Sequence, residues 1–391
     1  MLFRDDLKAM AAKIRGKVFA ALGEDAEIIV STDPTHVGYL SGYRTVQLDV
    51  DRNYRCAVIV TRDKALLVTA AADAAPALEV LRDPSCIYRY GVFFFSSSGG
   101  AVDYAALPSP QGTFLDALRS ALAATVKPNH RLGLDCASEW EFEHLKDLVG
   151  ARSFDARPGI IKARSTKLPE EIEKIRHAAA ITERGMEKAL GQAKAGMTEL
   201  ELSTIIATEM RASGGIPRFV LVTAGERSAL ADAYSTTAVL AQGDLLRLDI
   251  GCTVDGYWAD TARTAIVGEP TRDQQQRYEA LLEGELAQLV LAKAGVTAGA
   301  LFDVAVNRVR QGALADYKRT HCGHGIGITA HEFPSLNAAN RNVEIEPGMV
   351  LCVETPYYEI GWGGMMVEDM IVIRDGGNER LTHLPRDLRR L

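Results

Sequence analysis

Four acidic residues lie in strand-like apolar runs, where an ionised carboxylate is costly to bury. Asp249 is flanked by Leu246, Leu248 and Ile250, and Asp260 follows it in the stretch DIGCTVDGYWAD. Asp255-Gly256, between two apolar runs, is a strong hairpin signal. If Val254 and Asp255 form the turn, Asp249 and Asp260 stand directly opposite each other, with Cβ atoms ~5 Å apart. If Asp255 and Gly256 form it, the two acids are diagonal neighbours. Both registers put them on one face. A second pair repeats the arrangement, because Glu354 and Glu368 are equidistant from Gly361 and symmetric pairing sets them face to face.

Four carboxylates brought together would repel one another, and each would lose hydration. Apart from Arg247, which alternation puts on the face of Asp249, no Lys or Arg in these segments is spaced to offset them. Divalent cations are the simplest counter-charge. Oxygen-rich ligation suits manganese, and an imidazole extends the range to cobalt, iron or zinc. The imidazole comes from THCGHGIGITAHEFP, residues 320–334, which holds His321, His324 and His331 and whose glycines at 323, 325 and 327 let the backbone close around His324. Paired metals about 3.5–4 Å apart are an established arrangement for hydrolysis. The other five histidines, at 36, 130, 144, 177 and 383, stand alone and carry no assigned role.

The elements that must position these residues fill the second part of the chain. Pro169 with Glu170 and Glu171 opens a long amphipathic helix, since proline fits the first turn and acids there suit the helix dipole. Thr198 and Glu201 form a capping box ahead of a second helix. Two more helices are predicted at about Arg272–Lys293 and Ala300–Tyr317. Strand-like runs lie at Phe219–Thr223, Leu245–Ile250, Tyr257–Val267, Val350–Glu354 and Met366–Ile373. The order of helix pair, strands, helix pair, strands suggests two similar halves sharing one sheet. Before about residue 155 the pattern is that of a small α/β domain, with helices at Leu7–Leu22 and Phe114–Val126, strands at Glu27–Val30 and Cys56–Val60, and a loop at Phe93–Gly100.

Composition narrows the function classes. With 44 basic and 51 acidic residues the formal charge is −7, which gives no footprint for a phosphate backbone, so no nucleic-acid partner is expected. No apolar run reaches the roughly 18 residues of a membrane span, and the opening MLFRDDLKAM lacks the pattern of a secretory leader. Six scattered cysteines without a CxxC pair read as reduced core thiols, and the expected location is the cytoplasm.

Asp249, Asp260, His324, Glu354 and Glu368, in that order and at those spacings, resemble the five metal ligands of the pita-bread metallopeptidases: methionine aminopeptidase, aminopeptidase P, prolidase and, as a metal-free relative, creatinase. GHGIG followed by HE.P is similar to their histidine segment, DIG with GY..D..RT to their aspartate hairpin, and Tyr39-Leu-Ser-Gly-Tyr43 to a segment of their amino-terminal domain. The resemblance covers essentially the whole chain. It implies an α/β (α+β) protein, with a small N-terminal creatinase-type domain at 1–157 and a C-terminal pita-bread catalytic domain at 158–391. It also implies two divalent ions per chain, manganese first, with cobalt, zinc or iron as alternatives. Asp260 and Glu368 would bridge the ions, Asp249 would complete one site, and His324 with Glu354 the other.

The implied activity is that of an exopeptidase cutting near the N-terminus of a small peptide, of Xaa-Pro aminopeptidase or dipeptidase type, through a dinuclear-metal hydroxide. A creatinase-like hydrolysis of a small non-peptide C–N bond is the alternative. Glu354 would shuttle the proton to the leaving amine, and His331 would hold the substrate carbonyl or the oxyanion. A homodimer is the common assembly of such relatives. Two positions depart from the pattern. Asp232 stands where the branch usually has a substrate-contacting histidine, and it is expected to receive a substrate ammonium or to orient His331, or else merely to cap a turn before Ser235 and Thr236. Met366 stands where an arginine is common and is expected to form an apolar wall of the substrate pocket.

Overall fold

The computed structural model describes residues 4–23, 26–51, 53–96, 104–136, 138–149 and 152–391. The chain divides into two compact units, Met1–Ala163 and Arg164–Leu391. The first unit is a mixed sheet of β1 (Ile28–Ser31), β2 (Ala57–Val60), β3 (Ala65–Ala70), β4 (Ile87–Tyr90), β5 (Leu132–Asp135) and β6 (Ser153–Asp155), in the order β4-β3-β2-β1-β5-β6. Ile28, Val30, Ile59 and Val68 on these strands pack with Leu118 and Leu122 of the Phe114–Thr125 helix. Val92 to Phe95 run as exposed irregular chain, and the remainder of the predicted Phe93–Gly100 loop, from residue 97, lies outside the described residues.

The second unit is built around one sheet. Its strands are β7 (Ile216–Ala224), β8 (Leu245–Val254), β9 (Tyr257–Trp258), β10 (Thr261–Ile266), β11 (Gly323–Gly325), β12 (Glu332–Ser335), β13 (Val350–Glu354), β16 (Glu368–Arg374), β17 (Gly377–Arg380) and β18 (Arg389–Arg390); β14 (Tyr357–Glu359) and β15 (Gly363–Met365) extend the hairpin between β13 and β16. The order β12-β11-β13-β16-β10-β8-β7 joins two halves edge to edge, each with its own helix pair. Pro169–Leu190 begins with Glu171 accepting the Leu168 N–H and buries Ile172, Ile175, Ala178, Ala179 and Thr182, an i, i+3, i+4 stripe laid on β8. Thr198 and Glu201 cap Glu199–Ala212 reciprocally, at 3.1 and 2.7 Å. The second pair, Arg272–Leu291 and Ala298–Arg310, packs with Leu351, Val353, Ile371 and Ile373.

Two expectations change. The helix predicted to run to Tyr317 ends at Arg310, ahead of Gly312; Leu314 and Tyr317, which looked helical in spacing, enter the core from a turn, and Tyr317 donates to the Pro356 carbonyl at 3.0 Å. The run Tyr257–Val267 is two strands, β9 and β10, both paired with β8 in one register and interrupted at Ala259 and Asp260. Gly251 permits the close approach at this interruption: a Cβ there would lie 2.2 Å from the Ala259 carbonyl oxygen.

Candidate metal centre

The first hairpin takes the second of the two registers. Asp255 and Gly256 both have positive φ, 50° and 80°, so they are the central pair, and Thr253 faces Trp258. Asp249 therefore pairs with Ala262, and Asp260 is its diagonal neighbour. In the second hairpin Glu354 and Glu368 are directly paired, and the same register continues out to Tyr357 opposite Met365. Joined edge to edge, the hairpins produce a row across four strands: Asp249, Ala262, Glu368, Glu354. The small side chain of Ala262 leaves room between its neighbours. One step along the sheet a second row holds Met370, Cys352 and His324, with the Asp260 amide donating to the Met370 sulfur at 3.4 Å. All five predicted residues thus share one face, and the opposite face carries the apolar residues that meet the helices.

The face is buried but not satisfied. Asp260, Glu368, Glu354 and His324 are each at most 5% exposed. Asp260 Oδ1 and both carboxylate oxygens of Glu368 have no hydrogen-bond partner. His324 Nε2 lies 3.8 Å from Asp260 and 4.0 Å from Glu368. His324 Nδ1 is 3.0 Å from the Gly325 carbonyl, which makes Nδ1 the protonated nitrogen and turns the Nε2 lone pair toward the acids. Ligand atoms of Asp260, His324, Cys352 and Glu368 all fall within 4.8 Å of one another. Orphaned buried carboxylate oxygens are destabilising unless positive charge meets them, and oxygens converging with an imidazole lone pair are the donor set of a divalent cation.

The ionisation behaviour agrees. Burial, and then the other carboxylates, push Asp260 and Glu368 well above the usual range. Burial raises Asp249 to about 7; Arg247 opposes the rise, while Glu354 and Asp232 add to it. Burial would also lift Glu354, but the His321 contact, His324 and Arg319 hold it low. Burial lowers His324 to about 4, which keeps it neutral at physiological pH.

Several residues fix this geometry. Arg263 donates to the Glu368 carbonyl at 2.6 Å and to Asp369 at 2.7 Å, and Thr261 donates to the same carbonyl at 2.8 Å. Thr264 bonds both the amide and the carbonyl of Met366, so the RT of the aspartate hairpin serves to clamp the neighbouring strand. Burial would raise Glu332, but Lys167 and Arg164, at 3.0 and 2.6 Å, hold it at about 2; it also accepts from the Ile328 and Thr329 amides and so shapes the turn before His331. Arg247 is fully buried, 3.3 Å from Asp249, and donates to the carbonyls of Ser228, Leu230 and Ala231, tying the loop that bears Asp232 to the acidic face.

At the rim, the exposed His331 ring packs edge-on against His324, with centroids 4.0 Å apart. Asp232 is exposed, and its charge reaches both Asp249 and His331. Ser235 and Thr236 find partners elsewhere: Ser235 with Val220 and Val222, Thr236 with Glu199. Met366 is buried, its sulfur 3.8 Å from the Tyr358 hydroxyl.

Sequence reasoning gave no individual role to His321, whose Nε2 is 3.2 Å from Glu354, or to Tyr358, whose ring centroid lies 5.3 Å from the Arg247 guanidinium and 5.6 Å from that of Arg319. It also passed over Cys352, although strand alternation from Glu354 would have found it.

Comparison with known proteins agrees with this picture. The model of metallopeptidase family M24 matches residues 173–375. An Xaa-Pro dipeptidase of Pyrococcus furiosus is 30% identical over 267 residues, which is 67% of this chain and 76% of that protein. Among solved structures, the X-Pro aminopeptidase of Thermotoga maritima superposes with a TM-score of 0.78 at 25% identity, covering 94% of this chain and 96% of that one. The Xaa-Pro dipeptidase of Bacillus anthracis gives 0.78 at 25% identity, covering 97% and 100%.

Proposed function

Because the chain belongs to metallopeptidase family M24, we propose that its buried acidic face is a two-cation centre that hydrolyses short peptides at an Xaa-Pro bond. The protein is a hydrolase, a metallo-exopeptidase of the Xaa-Pro type. The observation that carries the metal reading is the set of unpartnered, buried oxygens of Asp260 and Glu368 facing His324. In this reading Asp260 and Glu368 would be shared by the two cations, Asp249 would help hold one, and His324 with Glu354 the other. When bound, such cations acidify water and polarise the scissile carbonyl.

The remaining work belongs to side chains. Glu354, in contact with His321, accepts a proton and returns it to the leaving amine. His331, whose pKa is lowered by desolvation where its ring packs on His324, donates to the substrate carbonyl oxygen as charge develops there. Asp232 at the rim receives the substrate ammonium, and Met366 and Tyr358 form the wall of the substrate pocket. Manganese suits the all-oxygen position beside Asp249. We further assign a cytoplasmic homodimer. Among the described residues no helix is long and apolar enough to cross a membrane, and the six cysteines are free and buried. Creatinase-like hydrolysis is not favoured, since the relatives named above are peptidases.

The test is a comparison of Xaa-Pro with Xaa-Ala dipeptides and tripeptides before chelation, after chelation and after manganese or cobalt is returned. Cleavage of the proline series that is lost and then restored is expected. Full activity in protein shown to be metal-free overturns the reading.

A further inference from the structure

The acidic face contains two sulfur atoms, the Met370 thioether, which accepts from the Asp260 amide, and one thiol. Cys352 is fully buried on β13, two residues before Glu354 and hence on the same face. It pairs across the sheet with His324 on one side and Met370 on the other. Its Sγ belongs to the group of ligand atoms lying within 4.8 Å of one another, with those of Asp260, His324 and Glu368. Independently of the sulfur, the unpartnered oxygens of Asp260 and Glu368, both in residues more than nine-tenths buried, aim into the same space. The thiol has no disulfide partner and no part in the reaction described above.

We propose that Cys352 is a sulfur ligand of the cation held by Asp260, His324 and Glu368, and that it makes this half of the centre selective for zinc, cobalt or iron(II) over manganese. The inference rests on the metal reading above. Thiolate favours these softer ions, whereas an all-oxygen set such as that around Asp249 suits manganese. The two halves of the centre would then differ in kind, one hard and one borderline. Forming the sulfur–metal bond breaks the S–H bond and releases that proton to solvent, with no change of oxidation state.

Cobalt(II) titrated into chelator-treated full-length protein reports sulfur ligation directly, because a cobalt–thiolate bond gives a charge-transfer band in the near ultraviolet that carboxylate and imidazole ligation lack. The band is expected in the wild type and absent in Cys352→Ser. That variant should lose about tenfold or more in zinc affinity, at least the loss that follows removal of an outer-shell partner, while its manganese affinity holds. Cys352→Ala serves as a second variant. X-ray absorption of the zinc-loaded wild type, expected to show a sulfur scatterer at about 2.3 Å, decides the question without any variant. Cobalt bound without the band, a band that persists in a folded Cys352 variant, or zinc without a sulfur scatterer each overturns this proposal and leaves the metal reading standing. Failure to bind any divalent ion overturns both.

Discussion

Removing the divalent ions should make unfolding strongly pH-dependent, in a direction opposite to ordinary acid denaturation. Burial and neighbouring carboxylates raise Asp249 to about 7 and lift Asp260 and Glu368 well above the normal range. Between the unfolded and folded values the native state holds protons that the unfolded chain has released, so metal-free stability falls as pH rises through that window. For Asp249 alone, a rise from 3.8 to about 7 corresponds to roughly 4 kcal/mol at about 1.4 kcal/mol per unit. Asp260 and Glu368 act in the same direction. About 3 kcal/mol of the Asp249 contribution is lost between pH 5 and pH 8, and a unit of about 230 residues shifts its melting temperature by roughly 2–4 °C per kcal/mol, so Asp249 alone should cost the chelated protein ~6–12 °C over that range. Bound cations keep the carboxylates ionised, so the loaded protein should lose this slope. Melting curves at pH 5, 6, 7 and 8, with chelator and with saturating manganese or zinc, measure the difference. Asp249→Asn removes one of the titrating groups and should flatten the chelated curve. A metal-free melting temperature that is flat or rises over this range, or one that matches the loaded protein, refutes the argument that these acids are buried against one another.

The proton-transfer role of Glu354 predicts that Glu354→Gln, which keeps a ligand oxygen but loses the base, reduces kcat by about 10²–10⁴. Asp260→Ala should instead lose bound metal, which elemental analysis of the purified variants separates from a catalytic defect. Asp232→Asn should raise KM by about two- to fivefold, the worth of an exposed ion pair, for substrates with a free amino terminus, with kcat nearly unchanged. A loss confined to kcat would place Asp232 in the transition state. Met366→Arg should improve binding of free dipeptides over their C-terminal amides, and equal effects on both would show that this side chain does not face the substrate carboxylate.

The acids were legible in the sequence because the turn signal of the first hairpin puts Asp249 and Asp260 on one face in either register, and the second hairpin is symmetric. The choice between the two registers came only with the positive φ angles of Asp255 and Gly256, whereas the symmetric placement of Glu354 and Glu368 about Gly361 matches the observed pairing directly. The histidine segment announced itself by glycine spacing. What was not legible is the support around them. Arg247 is recognisable as a neighbour of Asp249, but its carbonyl partners at Ser228, Leu230 and Ala231 come from a loop whose path no local pattern predicts. Arg319 reaches Tyr358 and the field of Glu354 only because the chain after Arg310 turns instead of continuing as a helix. Backbone acceptors are identical at every residue, so contacts made to them leave no compositional trace.

The strongest argument that the face is made for a cation comes from two adjacent residues. Glu368 and Asp369 are neighbours on β16, both essentially inaccessible to solvent, and strand alternation sends them to opposite faces. Asp369 meets Arg263 at 2.7 Å, Arg386 and the Thr382 hydroxyl at 2.8 Å, with Arg380 at 3.8 Å. Glu368 meets Asp260, Glu354 and a neutral histidine, and its oxygens have no hydrogen-bond partner. Both acids were buried by the same strand, so burial alone cannot explain the contrast. On one face the chain supplies its own guanidinium charge, and a buried pair of that kind loses 3–5 kcal/mol, by order of magnitude about that of a large core truncation, when one partner is removed. On the other face it supplies further acids, the ion pair of Arg247 with Asp249 and the His321 contact to Glu354, and none of these bonds to a Glu368 oxygen. A fold that neutralises Asp369 so thoroughly and leaves Glu368 bare one residue away has reserved that position for positive charge from outside the chain.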